Sequence, residues 1–441
     1  MKIINDIRGY TLISVLMITF IVITLLFSIL LVIYFNNIGT IKLINKKKLD
    51  LACYSAIQKY MYSNNEDILI QDDNINVSIL KEQKGLFYEI TVSAINISDS
   101  SKVKYLIANR IKEPFDNAIV ISRPDLRATV VGKTKIYGNI LVTQEKINEG
   151  KIFGIESGDG NYLIGKMLIK QDINPCLLQD SITKNVFLNK NLNFDGYEIH
   201  GSFNLNNENF SNFLPGRYFI NDNLTIDALI NTKNQETYRL FVRGKVMIAR
   251  GTKSNLNMVI ISDSSVVIES NINIENLVII SKGSITINND SYFKNVQLFS
   301  EKNIYITGCQ FDYPSIIYSS VSQERKGSLD NQISIKSSFI NGAILLDCSE
   351  IGLIDNRSKI AIDEKSKVQG LIYSENNCEL YSELIGCIYT YNFYYKINEN
   401  EYINWLINQK INRINLDKYF LLPIGLLPKN EFVILKETWI Y

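Results

Sequence analysis

The sequence holds a single histidine, His200, among 441 residues. A histidine-rich metal centre and a repeated His-based triad are therefore excluded. Neither charge is in surplus, with 46 Lys and Arg against 45 Asp and Glu. A nucleic-acid binder carries a basic footprint, and this chain has none. The cysteines are few and scattered: Cys53, Cys176, Cys309, Cys348, Cys378 and Cys387, with no Cys-x-x-Cys pair. That spacing does not signal a zinc site, and both disulfides in an exported domain and buried free thiols stay open. Proline is scarce, at 7 residues. Asn and Ile are abundant, which suits a solenoid with polar turns.

Charge is also missing from one long run. Nothing between Tyr10 and Phe35 is ionisable in the neutral range. At ~1.5 Å per residue a helix over that run reaches roughly 39 Å, against a bilayer core of ~30 Å. Lipid offers the backbone no hydrogen-bond partners, so a spanning segment here must be helical.

The polar leader before the run is short. Met1 to Gly9 includes Lys2, Asp6 and Arg8 and ends in glycine, directly ahead of Tyr10-Thr11-Leu12-Ile13-Ser14. A secretory signal is cut after its apolar region, whereas here the small residue comes first. The junction resembles that of type IV prepilins and the pseudopilins of type II secretion systems: a basic leader, Gly, an aromatic residue, Thr-Leu-Ile-Glu, then an apolar helix. Only the glutamate departs, replaced by Ser14. The resemblance covers about the first 60 residues. It implies cleavage after Gly9 by a prepilin peptidase, N-methylation at Tyr10, and assembly with other pilin or pseudopilin subunits through an inner-membrane platform. The bland reading is an ordinary N-terminal anchor. The resemblance implies a leader in the cytoplasm and a head in the periplasm or outside the cell. Lys46-Lys47-Lys48 competes with that orientation on the positive-inside rule.

Beyond the span, Leu49, Ala52, Cys53, Ala56, Ile57 and Tyr60 recur on one helical face. Residues 10–35 are thus read as a transmembrane helix and 36–62 as its amphipathic continuation. From Ile75 the period changes to two. Ile75–Leu80, Leu86–Ile97 and Val103–Ile111 alternate, with Lys81–Gly85 as a turn, and predict an antiparallel β meander over 75–113. The glycines at 132, 138, 150, 154, 158, 160 and 165 do not match a phosphate loop and read as turns between short strands.

The repeat is the second strong signal. Val259-Ile260-Ile261-Ser262 recurs at Val278, at Gln297 and at Ile316, always 19 residues on. A second strand keeps step through Val266/Ile268, Ile285/Ile287, Ile304/Ile306 and, after an inserted loop at Val321–Gln332, Ile333/Ile335. Leu345-Leu346-Asp347-Cys348 and Leu371-Ile372-Tyr373-Ser374 are read as later copies, with Cys348 in a serine position. Two strands per ~19 residues describe a parallel β-helix, in which each coil buries its apolar face only by stacking. The fold class is mainly β: the long helix, the small meander, then a Gly-rich entry segment and right-handed parallel β-helix over 114–400. A capping segment over 401–441 completes it, with a helix at Tyr402–Ile414.

Many β-helices cleave polysaccharides and need clustered carboxylates on one outer face. The outward positions Thr225, Met247, Val267, Thr286, Tyr305 and Ser334 include none. No catalytic, cofactor or metal residue is assigned, and an enzyme is not expected. Phe299, Tyr305, Tyr318 and Tyr373 are candidates for an outward aromatic stripe, and Gln323, Arg325 and Lys326 for a partner loop. The functional expectation is a minor pilin or pseudopilin. The alternative is a membrane-anchored surface β-helix that binds or acts on polysaccharide.

Overall fold

The computed structural model describes residues 4–63, 75–144, 146–152, 154–156, 160–171, 173, 186, 196–210, 213–230, 237–320, 331–348, 358–397, 400–427 and 431–440. The chain forms two compact units. The first comprises Met1–Lys81, Ile90–Tyr105 and Glu437–Tyr441, the second Glu82–Glu89 and Leu106–Lys436.

In the first unit, α1 (Ile4–Ser63) is one continuous helix. Every large apolar side chain from Leu12 to Phe35 is exposed. By length and composition α1 can cross a membrane. Its few hydroxyls bond back to the preceding turn, as Thr19 does to the Val15 carbonyl at 2.8 Å and Ser28 to that of Thr24 at 2.8 Å. That satisfies them where lipid would not. Further along, Leu49, Cys53, Ala56, Ile57 and Tyr60 are buried on one side, as their spacing predicts. The Cys53 thiol donates to the carbonyls of Val92 and Ser101, and the Ser101 hydroxyl donates to Asp50 Oδ1 at 2.6 Å.

The predicted meander consists of β1 (Asn76–Lys84), β2 (Phe87–Ile95) and β3 (Ser100–Asn109). Two boundaries differ from the sequence reading. Lys81–Lys84 continue β1 instead of turning, because Gly85, at φ 61°, makes the turn with Leu86. A fourth strand, Phe432–Ile440, joins beside β3.

The second unit is the solenoid. Its coils carry three short strands, one more than the sequence suggests. In one coil these are Asn257–Ser262, Val266–Ile268 and Asn273–Glu275. The third strand turns a single apolar residue inward, too little for a visible alternation. Parallel pairing stacks Ile260 on Ile279, Leu298 and Ile317. On the second face it stacks Ile268 on Ile287, Ile306 and Ile335. On the third it stacks Ile274 on Phe293, Phe311 and Ile340. All but Ile274 (4 %) and Ile287 (1 %) of these are wholly inaccessible. Each such side chain stabilises the fold by about 2 kcal/mol relative to exposure.

The corners explain the polar composition. Ser262, Ser281, Ser300 and Ser319 are buried, and each hydroxyl bonds a backbone carbonyl of the coil before it, for example Ser281 to Ser264 O at 2.6 Å. The other corners place Asn271, Asn276, Asp290 and Asn295 at positive φ, a region that Asn and Asp tolerate best after Gly. Asn295 Nδ2 also donates to Asn276 Oδ1 on the neighbouring coil at 2.8 Å.

The coils are not stacked in chain order. Along the first face the stack runs from Tyr197–Ile199 up to Glu383–Ile397. The strands Ile119–Ile121, Ile140–Val142 and Met167–Ile169 then follow. The Gly-rich segment is therefore no entry at the start of the solenoid. It supplies coils at the far end, laid on those of the C-terminal part. Twelve pairing steps separate the first and last of these strands. At ~4.8 Å each they amount to ~58 Å, a distance the chain between Ile169 and Tyr197 can reach at ~3.3 Å per residue.

The predicted capping helix at Tyr402–Ile414 is absent. The segment forms the strands Asn400–Ile403, Trp405–Ile407 and Lys410–Asn412. The last two pair with Thr129–Val131 and Lys135–Tyr137, so they are an internal coil and not an end. The helix-like spacing of Ile403, Leu406, Ile407 and Ile411 arises where Asn404 and Asn408 turn corners at positive φ.

Candidate functional site

Gly9 and Tyr10 lie in the backbone of α1 near its start. Ser14 is exposed on the same helix. The proposed partner-loop residues Gln323, Arg325 and Lys326 lie outside the described residues, as does Cys176.

The anticipated aromatic stripe is not a free surface. Phe299, Tyr318 and Tyr373 do point out of the solenoid, but a second apolar layer covers them. Phe115, Leu416, Phe420, Leu422 and Leu426 share that outer core. Tyr373 stacks on Tyr389 at 5.0 Å, and Phe115 lies 6.1 Å from Tyr373. Only Tyr305 of the four is exposed, at 38 %.

One polar cluster escaped the sequence reading. Asp347 pairs with Ser320, and its neighbour Leu346 pairs with Ser374. Asp347 and Glu375 therefore stand on adjacent coils at one corner, 5 % and 4 % exposed. Tyr318 donates its hydroxyl to Asp347 Oδ2 at 2.7 Å, and Tyr373 donates to Glu375 Oε1 at 2.7 Å. The Cys348 N–H donates to Glu375 Oε2, also at 2.7 Å. Burial, then the charge of Asp347, push the Glu375 carboxyl up to about 8. Two buried carboxyls this close cannot both ionise cheaply, so the pair retains a proton at neutral pH. Three of its oxygens accept from the two tyrosines and the backbone, an arrangement that fixes a corner.

The cluster was hidden by a register error of two residues. Ile344, and not Leu346, pairs with Ile317 and Ile372. Leu346 thus takes the serine position, and Cys348 falls two residues beyond it. Cys348 is buried all the same, as are Cys53, Cys309, Cys378 and Cys387, all free thiols. Burial pushes the Cys309 and Cys387 thiols up to about 12, which keeps them unreactive near neutral pH.

His200 is exposed and stands 3.8 Å from Glu198. Among the described residues no group of His, Cys, Asp or Glu could hold a metal ion.

No protein-family model matches the sequence, and no curated protein matches it. Among solved structures the chain is similar to the competence-associated pilin ComZ from Thermus thermophilus, at 8 % identity. The match covers 85 % of this chain and 86 % of that one. The TM-score is 0.22, a superposition too loose to establish a shared fold.

Proposed function

We propose that this protein is a minor, non-enzymatic subunit of a type IV pilus-like filament: a pilus, a type II secretion pseudopilus or a DNA-uptake machine. The observation that carries the reading is the junction Gly9-Tyr10-Thr11-Leu12-Ile13-Ser14, placed at the start of the uncharged stretch of α1, whose large apolar side chains are exposed from Leu12 through Phe35. A helix apolar on every side needs lipid or other apolar helices around it. A membrane before assembly and a bundle of like helices afterwards supply both. The partners in this reading are a prepilin peptidase, other pilin or pseudopilin subunits and an inner-membrane platform. The head lies outside the cytoplasm.

Ser14 bears on position in the filament. In the resembled family a glutamate stands here, and its partner is the free amino group of a neighbouring subunit. A buried carboxylate without that partner is costly. A subunit with nothing above it lacks the partner, and a serine there avoids the cost. A large solenoid head likewise crowds its neighbours if repeated along a shaft, but not if placed once. The protein is therefore assigned to the tip or to initiation, in few copies. Immunogold labelling of the head on sheared filaments tests this. Sparse label at ends supports the assignment, dense label along shafts contradicts the tip position, and filaments without label contradict the subunit role.

A further inference from the structure

The geometry points to a covalent cross-link: an isopeptide bond between Lys84 Nζ and Asn257 Cγ, formed with Glu89 as proton carrier and with loss of ammonia. The three residues come from three strands, β1, β2 and Asn257–Ser262. Lys84 Nζ donates to Asn257 Oδ1, so the amine already lies on the carboxamide it would attack. Glu89 Oε2 is 3.6 Å from the same nitrogen. The Lys84 and Glu89 side chains are only 14 % and 16 % exposed. They line a cleft whose wall includes Phe241, Val259 and Ile261. Apolar walls strengthen the charge interaction between Lys84 and Glu89 and the pull of the ammonium on the Asn257 carbonyl.

The backbone is held for the reaction. Gln297 Nε2 donates to the Lys84 carbonyl at 3.0 Å, and the Leu86 N–H donates to Gln297 Oε1 at 2.9 Å. The hairpin is thereby pinned to the coil side of the cleft. Asn257 Nδ2 donates to Thr237 Oγ1 at 3.0 Å. That contact fixes the amide rotamer, with oxygen toward the lysine and the leaving nitrogen toward Thr237. Holding both reactants in one geometry replaces a bimolecular encounter with an intramolecular one.

The step balances without oxidant or metal. The Glu89 carboxylate takes a proton from the Lys84 ammonium. The freed nitrogen pair attacks Asn257 Cγ. The Cγ–Nδ2 bond breaks as the leaving nitrogen takes that proton from Glu89 and a second one given up by the attacking nitrogen, so that it departs as ammonium. One lysine ammonium and one carboxamide become a secondary amide and one ammonium ion. The product ties the hairpin to the coil through a bond that pulling on the head cannot slide apart. This inference is independent of the filament role, since its test asks only about the bond.

Peptide mapping of the full-length protein, purified in detergent, tests it. The expected result is a branched peptide joining the Lys84 and Asn257 segments, lighter than their sum by one ammonia, about 17 Da. Lys84→Arg removes that species, and Glu89→Gln removes it or leaves a minor fraction. Recovery of the two wild-type peptides separately, each at full mass, overturns the proposal. Full cross-linking in Glu89→Gln overturns the role of Glu89. If a variant fails to fold, the wild-type map still decides.

Discussion

Asp347 and Glu375 stand at one corner on neighbouring coils, each carboxyl accepting a hydrogen bond from a tyrosine: Tyr318 to Asp347 Oδ2 and Tyr373 to Glu375 Oε1, both at 2.7 Å. The groups that face them are Tyr318, on the coil before that of Asp347, and Tyr373, on the coil of Glu375, together with the Cys348 N–H. The pair therefore couples the stability of this corner to pH.

The Glu375 carboxyl is raised from an ordinary 4.5 to about 8. A group whose folded pKa is raised contributes stability that is fully present below the unfolded value and lost as pH rises through the folded one. The head should thus lose stability steadily between about pH 4.5 and 8, on the order of a few kcal/mol, and little more above. Chemical denaturation across that range measures the slope. Glu375→Gln, which keeps one of the two acceptor oxygens and cannot ionise, should flatten it. An unchanged slope would contradict the shared proton.

Gly370 occupies a position no side chain can share. It stacks in register between Gly342 and Gly386. A Cβ there would lie 2.0 Å from the Gly342 carbonyl oxygen and 2.7 Å from Phe420 Cε2, at φ 137°. Gly370→Ala should cost about 3 kcal/mol or more and lower the melting temperature. Gly251, also at positive φ but with open space around it, should lose only about 1–2 kcal/mol on the same change.

Thr286 and Ile287 are neighbours that face opposite ways. Ile287 is 1 % exposed, whereas Thr286 is partly open to solvent. A charge buried without a partner is strongly unfavourable. Ile287→Asp should prevent the solenoid from folding, and Thr286→Asp should change stability by less than about 1 kcal/mol. Circular dichroism melts of the two variants separate these outcomes, and equal melts would mean that the strand faces are reversed.

What was legible in the sequence was what repeats at a constant step. Val259, Val278, Gln297 and Ile316 stand 19 residues apart, and they do stack on one another. The helical face from Leu49 to Tyr60 was equally clear, because its period is intrinsic to the helix. Features set by distant contacts were not. Ile119 pairs with Ile388 through no recurring step, so the return of the early strands to the far end left no trace in the pattern. The burial of Tyr318 and Tyr373 depends on Phe115 and Phe420, residues outside the repeat. A two-residue slip at Leu346 preserved the inward alternation, since the strand period is two. It nevertheless concealed that Asp347 and Glu375 are neighbours. The third face stayed hidden because Ile274 and Phe293 are each the lone inward apolar residue of their strand.

The central claim, that this is a filament subunit of the prepilin type, is tested most directly at the amino terminus. The protein is extracted from membranes of cells that carry the peptidase, and its N-terminal peptide is read by mass spectrometry. The account predicts a chain that begins at Tyr10 with a methylated amino group. A chain still beginning at Met1, or one cut after Phe35, would contradict it.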